Sequence, residues 1–461
     1  MKRLWGGLLL FSALMVIAVP VQADEVEDLK QMVQELKDEV EALKADRTHE
    51  SGIEQAVDEY LSAQAAEGTG DLAGYMDGKF GFQSAEGGFQ LNVGGGIAFD
   101  GRFYEPTGAQ NNTWDVELIR LRLTGQVGEG WAFKIQPEFT TDGDVYLMDA
   151  YIRTNSAAVF GETGSEYFDG IDWTFGQSRV PFSLSIQTSD YQLDTIMRPI
   201  MVRALPIGRD IGFTLSNTVA DDMLYWALAM TNGENDTNTS DNFWYWARVV
   251  FAPWVNDDDG AVKNLHFGLS FGTAHTPGRA VGSTAGMSSA GGGPYGMVGS
   301  SSYPSMGNFY PTATVKGREM LWGLELLWWM EQFAVKSEFF YFTQDLADDP
   351  DLDSEADTMG FYVTFDYMLT GEEWSEAPSS GIELVAEIEW GEVDAGGDSD
   401  EGDFWAYTLD ANYYFSQNVR FQFNWVMTDF GDYTYRPSYE DGYVRGGGVD
   451  HNWLLRLILT F

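Results

Sequence analysis

The chain has 461 residues, a formal net charge of −45 at pH 7 and no cysteine. The lack of cysteine excludes lipoprotein acylation, disulfide scaffolds and thiolate metal sites. The negative charge excludes nucleic acid as a partner, because phosphate binding needs a basic surface. Aromatic residues and glycine are frequent, yet after residue 23 no apolar run approaches the ~20 residues that a membrane helix needs. This composition is typical of membrane barrels, whose strands are apolar on one face only.

Residues 1–23 are predicted to be a cleaved export signal. Lys2 and Arg3 precede an apolar stretch over 4–19, and the sequence VQA at 21–23 has the small-x-small pattern of a signal-peptidase site. An uncleaved N-terminal anchor is the alternative. It is disfavoured because the apolar stretch is short and ends abruptly.

Residues 24–66 are predicted to be a periplasmic helical segment that starts with a coiled coil. Apolar residues recur there with 3-4 spacing and share one helical stripe: Val26, Leu29, Val33, Leu36, Val40 and Leu43. An amphipathic helix packed on its own protein is the alternative. Valine and leucine in such a repeat favour a coiled coil of two helices, so the heptads do not by themselves specify a trimer. A capping-box spacing at 51–54 starts a second short helix, and the glycine-rich residues 67–79 are predicted to be a linker.

From residue 89 onward the apolar period changes from helical to two, which predicts strands. The pattern continues to the last residues, where five apolar side chains share one strand face: Trp453, Leu455, Leu457, Leu459 and Phe461. About sixteen such segments predict that residues 80–461 form an all-β transmembrane barrel of antiparallel strands. A soluble β-sandwich is the alternative, but it would need polar outer faces.

The predicted connections differ in length, as they do in membrane barrels. Residues 128–130 and 416–418 are expected to be short periplasmic turns, whereas 273–316, 345–357 and 392–403 are expected to be long loops. The last two are densely acidic. They are either simply solvated, or they bind divalent cations that bridge lipopolysaccharide. Because the spacing is not that of an EF-hand, we predict no metal site.

Arginine placement is the most informative chemical feature of the barrel sequence. Guanidinium groups stay charged and bind phosphate or carboxylate in a bidentate way. Arg120 and Arg122 share a strand face opposite apolar residues, which predicts that they point into the lumen. The predicted pore-lining, anion-guiding set is Arg102, Arg120, Arg122, Arg153, Arg179, Arg209 and Arg248. Two interpretations are open: a basic ladder that concentrates anions, or structural arginines paired with lumenal acids.

Three other functions compete with transport. An outer-membrane enzyme would need a catalytic constellation, but the chain has no G-x-S-x-G or H-E-x-x-H motif. His266 and Ser270 lie ~13 Å apart along a strand, too far for a hydrogen bond. We therefore predict no catalytic residue and no cofactor. A structural tether to peptidoglycan through the coiled coil is the main alternative. A third possibility, a surface receptor, is supported only by the long predicted loop 273–316.

A series of short motifs runs along residues 80–461: LIRLRL (118–123), DAY (149–151), FGQSRVPFS (175–183), GRDIG (208–212), GFYV (360–363), LTGE (369–372), NYY (412–414), NVR (418–420), LLR (454–456) and terminal Phe461. These motifs and their order resemble the phosphate-selective porin O and P family. The resemblance implies a trimeric barrel of sixteen strands, one loop folded inward as a constriction, and passive transport. It also implies that Phe461 is read by the barrel-assembly machinery.

The charges of the chain depart from that family's pattern. Phosphate-selective members are expected to be rich in barrel lysine, whereas lysine is scarce here and Glu387 and Glu389 stand where a basic residue is expected. The sequence therefore predicts an outer-membrane porin for passive diffusion of small hydrophilic solutes, with weak anion preference at most. Its expected partners are further copies of the chain in a homotrimer, outer-membrane lipid and lipopolysaccharide, the barrel-assembly machinery and peptidoglycan. The N-terminal segment is expected in the periplasm.

Overall fold

The structure is a computed structural model. It describes residues 72–76, 79–84, 88–105, 112–139, 144–161, 170–205, 207–233, 243–256, 262, 264–281, 313–346, 355–371, 373–375, 378–394, 401–430, 435–438, 442–445 and 448–461. The predicted signal peptide (1–23) and helical segment (24–66) lie outside the described residues. Within 67–79, where the glycines predict a linker, the structure instead has strand β1 (Leu72–Met76), which pairs with β2 (Lys79–Gln83).

Sixteen antiparallel strands form a closed barrel. They are β3 (Phe89–Glu105), β4 (Thr113–Val127), β5 (Trp131–Phe139), β6 (Val145–Asn155), β7 (Asp172–Arg179), β8 (Arg209–Val219), β9 (Leu224–Thr231), β10 (Trp244–Phe251), β11 (His266–Val281), β12 (Ala313–Met330), β13 (Phe333–Leu346), β14 (Glu355–Gly371), β15 (Gly381–Asp394), β16 (Glu401–Ser416), β17 (Val419–Phe430) and β20 (Gly448–Thr460). Each strand pairs with the next. The ring closes where β20 pairs with β3, from Thr460 opposite Gly96 to His451 opposite Glu105. The predicted barrel and its strand number are confirmed.

The two faces of each strand differ as the period-two pattern predicts. On β14 the inward side chains of Thr358, Tyr362 and Asp366 are buried, whereas the outward side chains of Phe365 and Tyr367 are exposed. An apolar outer face and a polar inner face suit a wall between lipid and a water-filled lumen. Because the strands form a ring, every backbone hydrogen-bonding group in the wall has a partner strand.

The two rims of the barrel differ in the length of their connections. At the rim where the chain ends, Glu331 and Gln332 alone link β12 to β13, and Gln417 and Asn418 alone link β16 to β17. At the other rim the predicted loops prove shorter than expected. Strands enter each end of 273–316, 345–357 and 392–403, because ladder hydrogen bonds continue through residues whose polarity suggested loops. A further hairpin there consists of β18 (Tyr435–Ser438) and β19 (Gly442–Arg445).

Residues 180–208 connect β7 to β8 and fold inside the barrel; we call them the constriction loop. The loop contains two short helices, α1 (Leu184–Gln187) and α2 (Ile200–Ala204). Among the described residues, no helix is both long and apolar enough to span a membrane. The apolar side chains of the loop pack on the inner wall and form the main core of the molecule, which includes Phe182, Ile186, Ile200, Met201, Leu205, Trp246, Leu321, Phe340, Phe342 and Phe404.

Strand β3 extends beyond its partner β20 at the rim where the chain ends. Gly95 and Phe461 exchange two backbone hydrogen bonds, of 2.9 and 3.1 Å. Beyond that point β2 continues the ladder, with Phe80 opposite Val93. The first barrel strand is therefore paired on one edge by segments from both ends of the barrel sequence.

Candidate functional site

A buried carboxylate of the barrel wall holds the N-terminus of α1. Glu338 lies on β13 and accepts hydrogen bonds from Ser183 Oγ (2.9 Å) and from the backbone N–H groups of Leu184 (2.8 Å) and Ser185 (3.0 Å). It also accepts one from the Tyr362 hydroxyl (2.6 Å). The first N–H groups of a helix have no partner within the helix, and a carboxylate there satisfies them and complements the helix dipole. Glu338 thereby fixes the first turn of α1 to the wall.

Glu389 on β15 holds α2 in the same way. It accepts hydrogen bonds from the backbone N–H groups of Ile200 (2.8 Å) and Met201. The Met201 side chain lies against Gly360 and Gly391, which are opposite each other on β14 and β15. A Cβ atom added at Gly360 would lie 2.7 Å from Met201 Cγ, and one at Gly391 would lie 2.4 Å from its sulfur. The two glycines therefore leave the space through which α2 approaches the wall.

The segment between the two helices is bound by charge to the β3–β4 wall. Asp190 pairs with Arg120 of β4 and with Arg198 of the loop (2.6 Å). Burial raises the pKa of Asp190, but the surrounding guanidinium groups, that of Arg120 foremost, outweigh burial and hold this pKa well below its usual range. Tyr191 donates from its hydroxyl to the carbonyl of Gly96 (2.9 Å). Asp190 is therefore ionised and keeps the loop against this wall.

The same segment is also bound to strands β13, β16 and β20. Lys336 of β13 pairs with the Asp194 carboxylate, and Asn412 of β16 donates to the Asp194 carbonyl oxygen (2.7 Å). Arg456 of β20 donates to the carbonyl of Ile196 (2.9 Å). The constriction loop thus crosses the lumen with contacts on both sides. It separates an open side, next to β4–β9, from a covered side that it packs against.

An open cavity of about 250 Å³ lies between the constriction loop and the wall of β4–β9. Hydroxyl groups line much of it, among them those of Tyr151, Tyr191 and Tyr225. Its charged lining residues are six cations and one acid: Arg120, Arg122, Lys134, Arg153, Arg179, Arg209 and Asp149. The passage past the constriction loop is therefore strongly basic.

The seven arginines of the predicted pore-lining set fall into two groups according to their partners. Four are bound in ion pairs: Arg102 with Asp115 and Glu117, Arg120 with Glu138 and Asp190, Arg209 with Asp149, and Arg248 with Glu325. Arg102 and Arg248 do not line the cavity. The other three have no carboxylate at ion-pair distance within the described part of the chain: Arg122, Arg153 and Arg179. Arg153 reaches Thr174 Oγ1 (3.4 Å), and Arg179 donates to the Gln187 carbonyl.

Most of the buried acids in the described barrel interior lie on the covered side, whereas Asp100, Asp149 and Asp210 stand on β3, β6 and β8. Seven of those on the covered side stand on β12–β16, behind or beside the constriction loop: Glu325, Glu338, Asp366, Glu383, Glu387, Glu389 and Asp410. Glu387 and Glu389 stand where the family resemblance leads us to expect a basic residue. Both belong to this wall. They do not line the open cavity. Sequence reasoning missed Glu338 and Glu389 as anchors of the loop, although strand alternation already placed both on inward faces.

Known proteins share this architecture. Residues 91–442 match the family model described as phosphate-selective porin O and P. The anion-selective porin from Comamonas acidovorans has a similar structure, with a TM-score of 0.54, 13% identity, and coverage of 81% of this chain and 100% of that chain. So does in-vitro folded OmpT of Vibrio cholerae, with a TM-score of 0.52, 12% identity, and coverage of 81% and 98%.

The outer membrane channel DcaP of Acinetobacter baumannii is a third similar structure, with a TM-score of 0.51, 12% identity, and coverage of 83% of this chain and 99% of that chain. No curated protein sequence matches the chain. At these identities the structural likeness shows the fold, whereas the family model spans most of the sequence. The chain therefore belongs to the phosphate-selective porin O and P family and is an outer-membrane porin, a channel for passive diffusion.

Proposed function

We propose that this porin prefers anions and that Arg122, Arg153 and Arg179 set the preference. The observation that carries the proposal is the separation of charge across the constriction loop. Three unpaired guanidinium groups line the open cavity, where Asp149 is the one acid among the lining residues described, whereas most of the buried acids lie on the covered side. An arginine paired with a carboxylate contributes little net field, so the three unpaired residues dominate the potential that a solute meets.

The three guanidinium groups form a path rather than a closed binding site. They stand on different strands, β4, β6 and β7, and hydroxyl-bearing side chains lie between them. Arg122 lies two residues, about 7 Å along β4, from Arg120 at the constriction loop. Chloride, phosphate and small carboxylates are therefore expected to share one route. Strong preference for phosphate over the other anions is not expected.

Reversal potential in a planar bilayer tests this proposal. Under a potassium chloride gradient, the purified mature protein should give a potential of the anion-selective sign. Neutralising the three residues together (Arg122→Gln, Arg153→Gln and Arg179→Gln) should shift it toward cations. Arg318→Gln is the matched control, because Arg318 is an exposed arginine near the far end of β12. An unchanged potential in the triple variant would show that these three arginines do not set the preference and that selectivity arises elsewhere.

We also propose that the porin is a homotrimer with its N-terminal segment in the periplasm and with no enzymatic activity. OmpT of Vibrio cholerae, a structural neighbour, was solved in a trimer form, which supports the first point. The position of β2 beside Phe461, at the rim with short turns, supports the second. The predicted signal peptide, coiled coil and contacts with lipopolysaccharide, the barrel-assembly machinery and peptidoglycan stay predictions. Native mass spectrometry of the detergent-solubilised protein should give three copies of the chain.

A further inference from the structure

We propose that a divalent cation, with calcium as the preferred ion, binds behind the constriction loop between Asp194, Asp366 and Glu383. Asp194 belongs to the loop, Asp366 to β14 and Glu383 to β15. One carboxylate oxygen from each of the three lies within 4.8 Å of the other two. Calcium takes oxygen ligands at about 2.3–2.6 Å, so two ligands on opposite sides of the ion are about 5 Å apart. The three oxygens are thus close enough to share one ion.

Asp366 is the strongest indication that something is bound there. The residue is fully buried, and within the described part of the chain neither of its carboxylate oxygens has a hydrogen-bond partner. Asp366 Oδ2 forms a long ion pair with Lys336 Nζ, 3.9 Å away. A buried carboxylate without hydrogen bonds is costly unless a cation or a proton neutralises it. Both carboxylate oxygens of Asp410, on β16, likewise lack a hydrogen-bond partner within the described part of the chain.

The charges around the site do not balance. Five carboxylates interact with one another there, and they belong to Asp194, Asp366, Glu383, Glu387 and Asp410. The positive groups that face them are Lys336, Arg420 and Arg203. The neighbouring Glu389 adds one more acid. With all of these carboxylates ionised, the deficit is at least two positive charges, which one divalent cation would supply in place of bound protons.

Glu383 is held in a fixed orientation by donors that surround it. It accepts hydrogen bonds from Trp374 Nε1 (3.1 Å), Asn412 Nδ2 (3.0 Å) and the Tyr414 hydroxyl (2.7 Å). Such outer donors orient a metal-binding carboxylate and leave lone pairs for the ion. The side chains of Lys336 and Asp194 are 12% and 16% exposed, so the site is open to water from the lumen. An ion can therefore reach the site without unfolding the barrel.

The bound ion would fasten the middle of the constriction loop to the wall. Asp194 lies between α1 and α2, and the other two ligands stand on strands far away in sequence. Removing the ion should leave the anchors Glu338 and Glu389 in place and loosen the loop around Asp194. This proposal does not depend on the anion preference, because it concerns binding on the covered side.

Terbium luminescence is a suitable test, because Trp374 touches one of the ligands and can sensitise a lanthanide in the site. The full-length protein, washed with EDTA, should show terbium emission that saturates and that calcium displaces. Trp374→Phe should lower this emission by more than half, and because it also removes a donor to Glu383 it should weaken calcium binding in calorimetry, but less than Asp366→Asn does. Asp366→Asn should weaken calcium binding at least tenfold. Its matched control is Asp403→Asn, an exposed aspartate near the far end of β16, which should bind calcium as the parent does.

Two results would overturn the proposal. One is the absence of calcium-displaceable emission in the parent protein. The other is calcium binding by Asp366→Asn that equals that of the parent, which would place the ion in the exposed acidic segments. If Asp366→Asn does not fold, Glu383→Gln carries the same prediction. Magnesium in place of calcium is the competing ion, and an affinity for magnesium tenfold above that for calcium would contradict the choice of ion.

Discussion

Replacing Glu338 by glutamine should release α1 from the barrel wall. The carboxylate accepts four hydrogen bonds, three of them from the constriction loop. Glutamine keeps one acceptor oxygen and turns an NH2 group toward the donors of the other, so at least one hydrogen bond is lost and the remaining three lose their charge assistance. Each charge-assisted bond is worth about 1.5–3 kcal/mol. The apolar packing of Phe182 and Ile186 persists, so we expect the lower end of the sum, about 3 kcal/mol, or about 100-fold in the population of the released loop.

Thiol labelling measures this release directly. The chain has no cysteine, so Ile186→Cys introduces a single thiol at a site that is 8% exposed in the packed loop. A maleimide reacts with that thiol only when α1 leaves the wall, and its rate follows the open population when closing is fast. Adding Glu338→Gln to this background should accelerate labelling about 100-fold. It should also increase current noise in single channels, because the loop then moves within the pore.

Glu387→Gln is the matched control for this experiment. Glu387 is a buried glutamate on the same wall, and it accepts a hydrogen bond from Thr364 Oγ1 (2.8 Å), a wall residue. Its neutralisation should leave the labelling rate near that of the parent. Equal, slow labelling in Glu338→Gln and Glu387→Gln would refute the reasoning, because the loop would then be held by apolar packing alone.

Two further predictions concern the β3 edge and the loop. Gly95→Ala should reduce the yield of heat-resistant, folded barrel on gels. The added Cβ would lie 2.3 Å from the Arg120 carbonyl oxygen and 2.8 Å from the Phe461 ring. The control Gly88→Ala should assemble normally, because a Cβ added there meets nothing within 4 Å. The lowered pKa of Asp190 means that its stabilisation is complete above its unfolded value, about 3.9, and is lost as pH falls through the lower folded value. Relative to the rate of a free thiol at the same pH, which corrects for the thiolate fraction, labelling of the Ile186→Cys thiol should therefore stay constant from pH 8 to pH 5 and rise only in stronger acid, whereas Asp190→Asn should raise it throughout pH 8 to pH 5.

The barrel could be predicted from the sequence because its signal is local. Alternation of apolar and polar residues places each side chain outside or inside without knowledge of its neighbours. Strand ends were predicted less well, since acidic residues such as Asp345 and Asp394 read as loops although they continue the ladder. Strand pairing at the rim depends on the backbone of the neighbouring strand, and a local sequence pattern carries no information about that neighbour.

The site could be predicted only in part, because its contacts are long-range. Alternation indicates that Arg120 and Arg122 face the lumen, but not that Asp190, seventy positions away, neutralises Arg120 and leaves Arg122 unpaired. Likewise Ser183 and its anchor Glu338 are 155 residues apart. The negative charge of Glu389 departs from the family's pattern, whereas the structure shows that this residue caps a helix. A residue's charge is visible in the sequence, whereas its partner is not.

Strand β2 covers the edge of β3 from Gln90 to Val93, next to the stretch of that edge that β20 occupies, so the last strand can advance no further than Phe461 opposite Gly95. A slip of one residue would turn Arg456 toward lipid and Leu457 into the lumen. The alignment of the closing seam, and with it the stagger of the whole ring, is therefore limited by the position of β2 on that edge.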